Sequence, residues 1–203
     1  MQAMRKRAGV LALQGDFAAH AKLLAQLDVE AVEVRRPGDL AGLAALMLPG
    51  GESTTMSLLL DSAGLREPLS DLIAGGLPVL ATCAGVILLA DELEGDSGSL
   101  PVTPLGLLKA TVNRNAYGRQ VNSFESALNV DWAALDADNS AAQYHGVFIR
   151  APQISRWRPG VVPVAWQDDD VVAVRQDHIV AATFHPELTD DPRLHAAVLN
   201  LAN

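Results

Sequence analysis

The only cysteine of the chain, Cys83, lies between two short apolar runs. Residues 77–90 therefore predict a buried strand, a sharp turn at Cys83 and an apolar helix. Small residues flank the turn at Ala81, Ala84 and Gly85. A strand-to-helix turn of this kind projects one side chain above the sheet, and the N-terminus of the helix favours a thiolate there. The stretch is typical of a cysteine nucleophile, although a lone cysteine also fits as a small buried apolar residue.

A thiol nucleophile needs a base within hydrogen-bond reach and a group that orients the base. His185 follows a predicted buried strand, and Glu187 stands two residues later, where an extended segment directs both side chains the same way. Glu187 would then fix the tautomer of His185, as a carboxylate does in a catalytic triad. The alternative is a strand-end histidine beside a solvated glutamate. Two other histidines, His20 and His195, lie in helical stretches and are predicted to be surface residues.

A pair of glycines, Gly50 and Gly51, directly follows another apolar run. Glycine lets the backbone turn tightly and present its N–H groups to a ligand. Together with the N–H of Ala84, just after the cysteine, such a turn is suited to hold an oxyanion. The alternative is an ordinary Pro-Gly-Gly turn.

Arginines accompany the strand-like segments of the second half of the chain, at Arg114 and Arg150 among others. A guanidinium near buried strands is costly unless it is paired or binds an anionic ligand. A substrate carboxylate is one candidate for the anion. Structural salt bridges to Glu125 or other acidic residues are the alternative.

Composition restricts the classes of partner. Of the 203 residues, 49% are hydrophobic and the net charge is −9, so the chain can build a core but lacks the basic surface that nucleic acids require. A single cysteine forms no internal disulfide, which fits a reducing compartment. The apolar run after the basic N-terminus is too short for a signal peptide or a membrane span. We therefore expect a cytoplasmic protein without nucleic-acid or membrane partners.

Short apolar strands alternate with helices in the first half of the chain. Strands are predicted at 8–13, 31–34, 46–48 and 77–82, and helices at 17–27, 53–63 and 67–74, with Asp16 capping the first helix and Ser53 or Thr54 the second. This alternation indicates an α/β fold whose parallel sheet is covered on both faces.

The second half of the chain is mostly strand-like. Residues 92–103 predict a surface loop, residues 106–130 and 147–184 predict strands with a turn at Asn115 and a hairpin around 176–178, and Pro192 begins a last helix. No repeat or linker is present, so one domain over residues 1–203 is expected. Because sites form at the carboxyl ends of parallel strands, one edge of the sheet should hold the residues that follow strands directly. These are Gln14, Gly50, Gly51, Cys83 and His185.

These segments together resemble the class I, triad-type glutamine amidotransferases, and most closely the glutaminase-subunit family of pyridoxal 5′-phosphate synthase. The matching blocks span nearly the whole chain in the family's order. They are residues 13–15 (Leu-Gln-Gly), 48–55 (Leu-Pro-Gly-Gly-Glu-Ser-Thr-Thr), 82–85 (Thr-Cys-Ala-Gly), 114–125, 147–152 (Val-Phe-Ile-Arg-Ala-Pro) and 184–188 (Phe-His-Pro-Glu-Leu). The family implies a flavodoxin-like three-layer sandwich with a mostly parallel central sheet.

The resemblance also implies a chemistry. Cys83 would attack the side-chain amide of L-glutamine, His185 would carry the proton to the leaving ammonia, and Glu187 would orient His185. Backbone N–H groups of Gly51 and Ala84 would hold the oxyanion. Water would then hydrolyse the glutamyl thioester to L-glutamate, and no metal or cofactor would be needed.

By the same resemblance, a defined set of residues contacts glutamine. The set is Gly51, Glu52, Ser53, Arg114, Ile149 and Arg150, with Gln14 near both the site and the partner surface. The ammonia would pass to a separate TIM-barrel synthase subunit that makes pyridoxal 5′-phosphate, the active form of vitamin B6.

Two features depart from the family pattern. Ala81 stands where the family usually has glycine, two residues before the nucleophile, and the loop at 96–104 looks longer than usual. The alternative functions are a class I glutaminase that serves another synthase, a non-catalytic regulatory module on the same fold, and a cysteine hydrolase of another substrate. A co-purified synthase, the effect of removing the Cys83 thiol, and the preference for glutamine over other amides and esters would discriminate among them.

Overall fold

The structure, a computed structural model, describes residues 5–95, 101–114, 123–137 and 143–201. The strands in these ranges are β1 Arg7–Leu11, β2 Glu30–Val34, β3 Ala45–Leu48, β4 Val79–Thr82, β5 Ala90–Glu94, β6 Leu108–Asn113, β7 Ser123–Val130, β8 Tyr144–Ile149, β9 Gln153–Trp157, β10 Val162–Gln167, β11 Asp170–Gln176 and β12 Ile179–Ala182. The α-helices are α1 Phe17–Gln26, α2 Ser53–Ser62, α3 Arg66–Ala74, α4 Ala84–Leu89 and α5 Arg193–Asn200.

A nine-stranded sheet forms the centre of the molecule, in the order β2-β1-β3-β4-β12-β11-β10-β7-β8. The first five strands of this order are parallel, and the remaining strands extend the sheet by antiparallel pairing. The hairpin of β11 and β12 confirms the turn predicted at 176–178. A second sheet of three strands, β5-β6-β9, contributes residues to the hydrophobic core that also contains Leu46 and Leu48 of β3.

Both faces of the central sheet are covered. Strands β3, β4 and β12 are buried along their whole length, and successive side chains point to opposite faces. Leu46 and Leu48 pack with residues of α2, α3 and α4, whereas Met47 and Leu80 pack on the other face with residues of α1 and α5. This three-layer α/β arrangement confirms the predicted fold class.

The parallel strands bring the predicted site residues to one edge of the sheet. Strands β1, β3, β4 and β12 are neighbours and run in the same direction, so the loops after their carboxyl ends meet. An added Cβ on Gly50 would contact His185 and Cys83, and one on Gly51 would contact Gln14. The prediction of a common edge is therefore confirmed.

Three local predictions were wrong or lie outside the described residues. Residues 90–94 form β5, paired in parallel with β6, rather than the start of a surface loop. β5 lies at the edge of the second sheet with its charged side chains, those of Asp91, Glu92 and Glu94, exposed or half-buried, so its sequence looks like that of a loop. The turn at Asn115 and residues 96–100 of the predicted long loop lie outside the described ranges.

The start of α2 also differs from its prediction. Glu52, not Ser53 or Thr54, is the N-cap, because its longer side chain folds back and accepts hydrogen bonds from the N–H groups of Thr54 and Thr55. Asp16 does cap α1, accepting from the N–H of Ala19. Within the described ranges, no helix combines the length and the apolar character needed to cross a membrane.

Candidate active site

Cys83 occupies the turn between β4 and α4 with φ 47° and ψ −106°. A non-glycine residue in this region of backbone space is strained by about 1–3 kcal/mol, and such strain persists where the surroundings enforce it. Here the N–H of Cys83 donates to the carbonyl of Ala182, and Gly85 lets α4 approach β3 closely. Cys83 is 7% exposed, so the turn presents the side chain while shielding it from bulk water.

The departure at Ala81 does not disturb this turn. Ala81 is fully buried in β4 and pairs in register with Leu48 of β3 and Ala181 of β12. Its methyl group belongs to the core on the face of α2, α3 and α4. The extra carbon is therefore accommodated by the packing of the sheet.

His185 and Glu187 meet as predicted, although Pro186–Leu188 is a short 3-10 turn rather than an extended segment. Nδ1 of His185 lies 2.8 Å from Oε1 of Glu187, and the backbone N–H of His185 donates to the carbonyl of Val147. Both residues are buried. The ring is thus held by the Glu187 carboxylate, and the main chain of His185 is anchored to β8.

The charges of this pair are strongly coupled. Burial alone would lower the pKa of His185, but interactions with Cys83 and Glu187 outweigh it and raise the pKa to about 10. Burial alone would raise the pKa of Glu187, but the attraction of His20 and the hydrogen bond with His185 hold it well below its usual range. An imidazolium beside a cysteine sulfur is the environment in which reactive cysteines occur.

Gly50 is the residue that lets these groups approach. A Cβ at this position would lie 2.3 Å from Cε1 of His185 and 3.1 Å from Cβ of Cys83. On the far side of the sulfur, Sγ of Cys83 lies 3.9 Å from the carbonyl oxygen of Ile149 at the end of β8. Cys83 therefore lies between the Gly50 turn, the His185 ring and the end of β8.

Gly51 and Glu52 link the Gly50 turn to the loop after β1. Oε1 of Gln14 accepts from the N–H of Glu52 at 2.7 Å, and a Cβ on Gly51 would lie 2.3 Å from the same oxygen. The Glu52 carboxylate also accepts from the hydroxyl of Thr55. Burial raises the pKa of Glu52, but hydrogen bonds from Thr55 and Thr54 outweigh it and lower the pKa to about 2. Glu52 is thus an ionised helix cap beside the glycine turn.

Arg114 and Arg150 approach the site from different directions. Nη2 of Arg114 donates to Oγ of Ser53 at 3.0 Å and to Oγ1 of Thr54 at 3.1 Å. Its Nε and Nη1 are buried and have no hydrogen-bond partner among the described residues. Arg150 is exposed, has φ 46° and follows Ile149 directly. Of the two, only Arg114 contacts the α2 segment, and Glu125 pairs instead with His145.

The prediction that His20 and His195 are surface residues was wrong. Both are fully buried, and Nδ1 of His20 lies 2.9 Å from Nε2 of His195. His20 precedes Leu23 and Leu24 by three and four residues, so it lies on the buried stripe of α1. This spacing is the signal in the sequence from which the burial of His20 could have been predicted. The ring of His20 faces Glu187, with Nε2 3.5 Å from Oε2.

Ala84, the remaining predicted residue, begins α4 directly after Cys83 and is buried. The structure thus brings together Cys83, His185 and Glu187, with the glycine turn and Ala84 around the sulfur. In the described ranges, no group of three or more His, Cys, Asp and Glu side chains is arranged to hold a metal ion.

Comparison with known sequences agrees with this geometry. The model of the SNO glutamine amidotransferase family matches residues 10–201. The chain belongs to the SNO glutamine amidotransferase family. One relative, named pyridoxal 5′-phosphate synthase subunit PdxT of Deinococcus radiodurans, is 52% identical over 195 residues, covering 96% of each chain. A protein of the same name from Thermus thermophilus is 49% identical, covering 98% of this chain and 99% of its own.

A solved structure described as a glutamine amidotransferase has the same fold. Its TM-score to this chain is 0.85 at 47% sequence identity, covering 96% of this chain and 98% of its own. The strained cysteine turn and the buried His185–Glu187 pair are therefore set in the fold of a glutamine amidotransferase.

Proposed function

We propose that this chain hydrolyses L-glutamine to L-glutamate and ammonia as the glutaminase subunit of a pyridoxal 5′-phosphate synthase. Membership of the SNO glutamine amidotransferase family supports the reaction, and the names of the full-length relatives support the pathway. The observation that carries the chemistry is the placement of Cys83 beside His185, whose ring is hydrogen-bonded to Glu187, at one edge of the sheet.

In this mechanism the sulfur of Cys83 attacks the side-chain amide carbon of glutamine. The C–S bond forms while the carbonyl π electrons move to oxygen, and the tetrahedral intermediate then expels ammonia as the C–N bond breaks. The His185 imidazolium donates the proton that the leaving nitrogen needs. Water, deprotonated by His185, attacks the thioester, and the thiol leaves with glutamate as product. Glu187 keeps the His185 ring oriented throughout.

The developing oxyanion requires donors close to the sulfur. We assign this role to the backbone N–H groups of Gly51 and Ala84, which flank Cys83 in the fold. The turn of Gly50 and Gly51 packs against Cys83 and His185, and Gln14 supports it from the loop after β1. Gln14 therefore affects the reaction by holding the backbone that carries one oxyanion donor.

Glutamine is a zwitterion, so its recognition needs a cation for the carboxylate and acceptors for the ammonium. Arg114 offers a guanidinium that Ser53 and Thr54 hold in place, and its buried Nε and Nη1 can donate to a carboxylate. The carbonyl of Ile149 lies next to the sulfur, where it can contact a bound substrate. Arg150 contributes a second positive charge beside it. The ionised Glu52 supplies negative charge beside the Gly50–Gly51 turn.

The ammonia released at Cys83 has to reach a second active site. A synthase subunit is the expected partner, because the PdxT relatives are named as subunits of a synthase. We propose that this partner is a TIM-barrel subunit that incorporates ammonia into pyridoxal 5′-phosphate. L-Glutamine is then the small-molecule substrate of this chain.

The test is glutamate release from glutamine by the purified chain, alone and with a pyridoxal 5′-phosphate synthase subunit. Glutamate release that rises with this partner, but not with the synthase subunit of another glutamine-dependent pathway, supports both reaction and pathway. Cys83→Ala and His185→Asn should each abolish it, whereas His178→Leu, altered at the opposite end of β12, should not. No glutamate in any mixture with folded, reduced protein would overturn the proposal.

A further inference from the structure

Two buried histidines continue the line of catalytic side chains into the protein. His20 on α1 and His195 on α5 are fully buried, and their nearest ring nitrogens lie 2.9 Å apart. The other nitrogen of His20, Nε2, lies 3.5 Å from Oε2 of Glu187. Oε1 of the same carboxylate contacts His185 at 2.8 Å. The mechanism above assigns no role to either buried histidine.

The surroundings select one tautomer for each of the two rings. Nε2 of His20 faces a carboxylate oxygen, so it must carry the proton if the contact is to be attractive. Nδ1 of His20 then accepts the Nε2 proton of His195, at the observed 2.9 Å. The reverse arrangement would place a lone pair of His20 against Glu187 and would leave the Nδ1–H of His195 as a buried donor, because this nitrogen has no partner among the described residues.

The charge state of His195 agrees with this assignment. Burial and the neighbouring His20 lower the pKa of His195 to about 3, although Glu187 acts in the opposite direction. The ring is therefore neutral at physiological pH and has one N–H to donate. His195 thus fixes which nitrogen of His20 carries the proton toward Glu187.

Resting on the proposed glutaminase function, we propose that His20 and His195 are positioning residues of that reaction. His20 directs its Nε2–H toward the second carboxylate oxygen of Glu187 at 3.5 Å, an oxygen with no hydrogen-bond partner among the described residues, and His195 holds His20 in the tautomer that does so. The carboxylate of Glu187 then has a hydrogen bond with His185 at one oxygen and an electrostatic contact with the N–H of His20 at the other. Neither histidine contacts the substrate.

This arrangement has a consequence at the sulfur. Without His20, Glu187 would keep His185 as its main donor, since the Thr82 hydroxyl lies 3.5 Å from Oε1. A buried carboxylate with fewer donors binds a proton more readily. The proton shared with His185 would then move toward Glu187, and the His185 imidazolium would lose its counter-charge. The reactive state of Cys83 would therefore be reached only at higher pH.

The other groups facing this cluster do not replace His20. Thr82 on β4 lies 3.4 Å from Nε2 of His20, but its hydroxyl faces Oε1 of Glu187 at 3.5 Å, whereas His20 faces Oε2. Tyr144 on β8 interacts with Glu187, and burial together with Asp191 and Glu187 raises the pKa of its hydroxyl well above its usual value, so it stays neutral. Arg193 on α5 forms its salt bridge with Asp191.

The test uses the fact that Cys83 is the only cysteine of the chain. The rate of Cys83 alkylation by iodoacetamide, measured against pH, reports the reactive thiol without requiring glutamine or a synthase. For His20→Leu we expect the midpoint of this profile to rise by about one pH unit, which is about tenfold slower alkylation below the midpoint. His20→Gln keeps an N–H that can reach Glu187 and should restore most of the wild-type profile. The control is His178→Leu, which removes a histidine from the opposite end of β12 and should leave the profile unchanged.

A folded His20→Leu variant with the wild-type profile would overturn the inference, and so would an equal shift in His20→Leu and His20→Gln. Thermal unfolding of each variant establishes that it folds. If His20→Leu does not fold, the comparison of His195→Leu with His195→Gln carries the same test, because only the glutamine variant keeps a donor toward His20. Failure of the proposed function would be seen separately, as absent glutamate release by the wild type.

Discussion

Gly50 is the position where one added methyl group should damage the reaction most. A Cβ on this residue would lie 2.3 Å from Cε1 and 3.0 Å from Nδ1 of His185, and 3.1 Å from Cβ of Cys83. The φ of Gly50 is not in the left-handed region, so alanine meets no backbone penalty there. Gly50→Ala should therefore act through its contact with the His185 ring.

The size of the effect follows from the overlap. Ordinary van der Waals contact begins at 3.4 Å, so the ring of His185 has to move by about 1 Å. The hydrogen bond to Glu187 and the contact with Cys83 would both lengthen. A displacement of about 1 Å in a catalytic group costs about 100-fold in rate, or about 2.7 kcal/mol of activation free energy.

The assay is glutamate release with the synthase subunit present, together with the pH profile of Cys83 alkylation. Both should be impaired in Gly50→Ala, and thermal unfolding establishes that the variant still folds. The matched control is Gly38→Ala, where an added Cβ meets no atom within 4 Å. Wild-type activity in a folded Gly50→Ala variant would refute the assignment of Gly50 as the residue that makes room for His185.

Four further predictions follow from the contacts in the structure. In Cys83→Ala the pKa of His185 should fall from about 10, because Cys83 is the largest of the effects that raise it, and an unchanged value in an NMR titration would contradict this. In the wild type, the pKa of about 10 for His185 lies above the unfolded value of 6.5. The stability that His185 contributes should therefore be complete below pH 6.5 and be lost as pH rises toward 10, and urea unfolding at several pH values would measure this. Gly85→Ala should lower the free energy of unfolding by about 1–3 kcal/mol, because its Cβ would lie 2.2 Å from the backbone oxygen of Leu48, and an unchanged urea midpoint would contradict the close packing of α4. Arg114→Gln should raise the glutamine concentration needed for half-saturation by about tenfold through loss of a charged hydrogen bond, and unchanged saturation would assign Arg114 a structural role.

Much of the site could be predicted from the sequence because its signals are local. A strand, a small-residue turn and an apolar helix follow one another around Cys83, and the His185–Glu187 spacing lies within one short segment. The carboxyl ends of parallel strands converge as a rule of the fold class. Knowing which residues follow the strands was therefore enough to place Cys83, His185 and the glycine turn at one edge.

Other features could not be predicted because they depend on which elements become neighbours. Glu52 caps α2 although serine or threonine was expected, since its side chain reaches back to Thr54 and Thr55 while its N–H donates to Gln14 in the loop after β1. Residues 90–94 became a strand because β6 offered a partner for their backbone. Neither outcome has a strong signal within its own segment.

The sequence by itself determined that Cys83 lies in a strand-to-helix turn, that His185 and Glu187 are close together, and in which order the apolar strands follow one another, because each is set by residues adjacent along the chain. Only the tertiary structure decided that His20 and His195 are buried against Glu187, from α1 and α5. These histidines are 175 positions apart in sequence, and their burial is tolerated because each ring meets a polar partner that a distant segment supplies. The cost of burying a polar ring depends on that partner, and the partner exists only once the helices have packed.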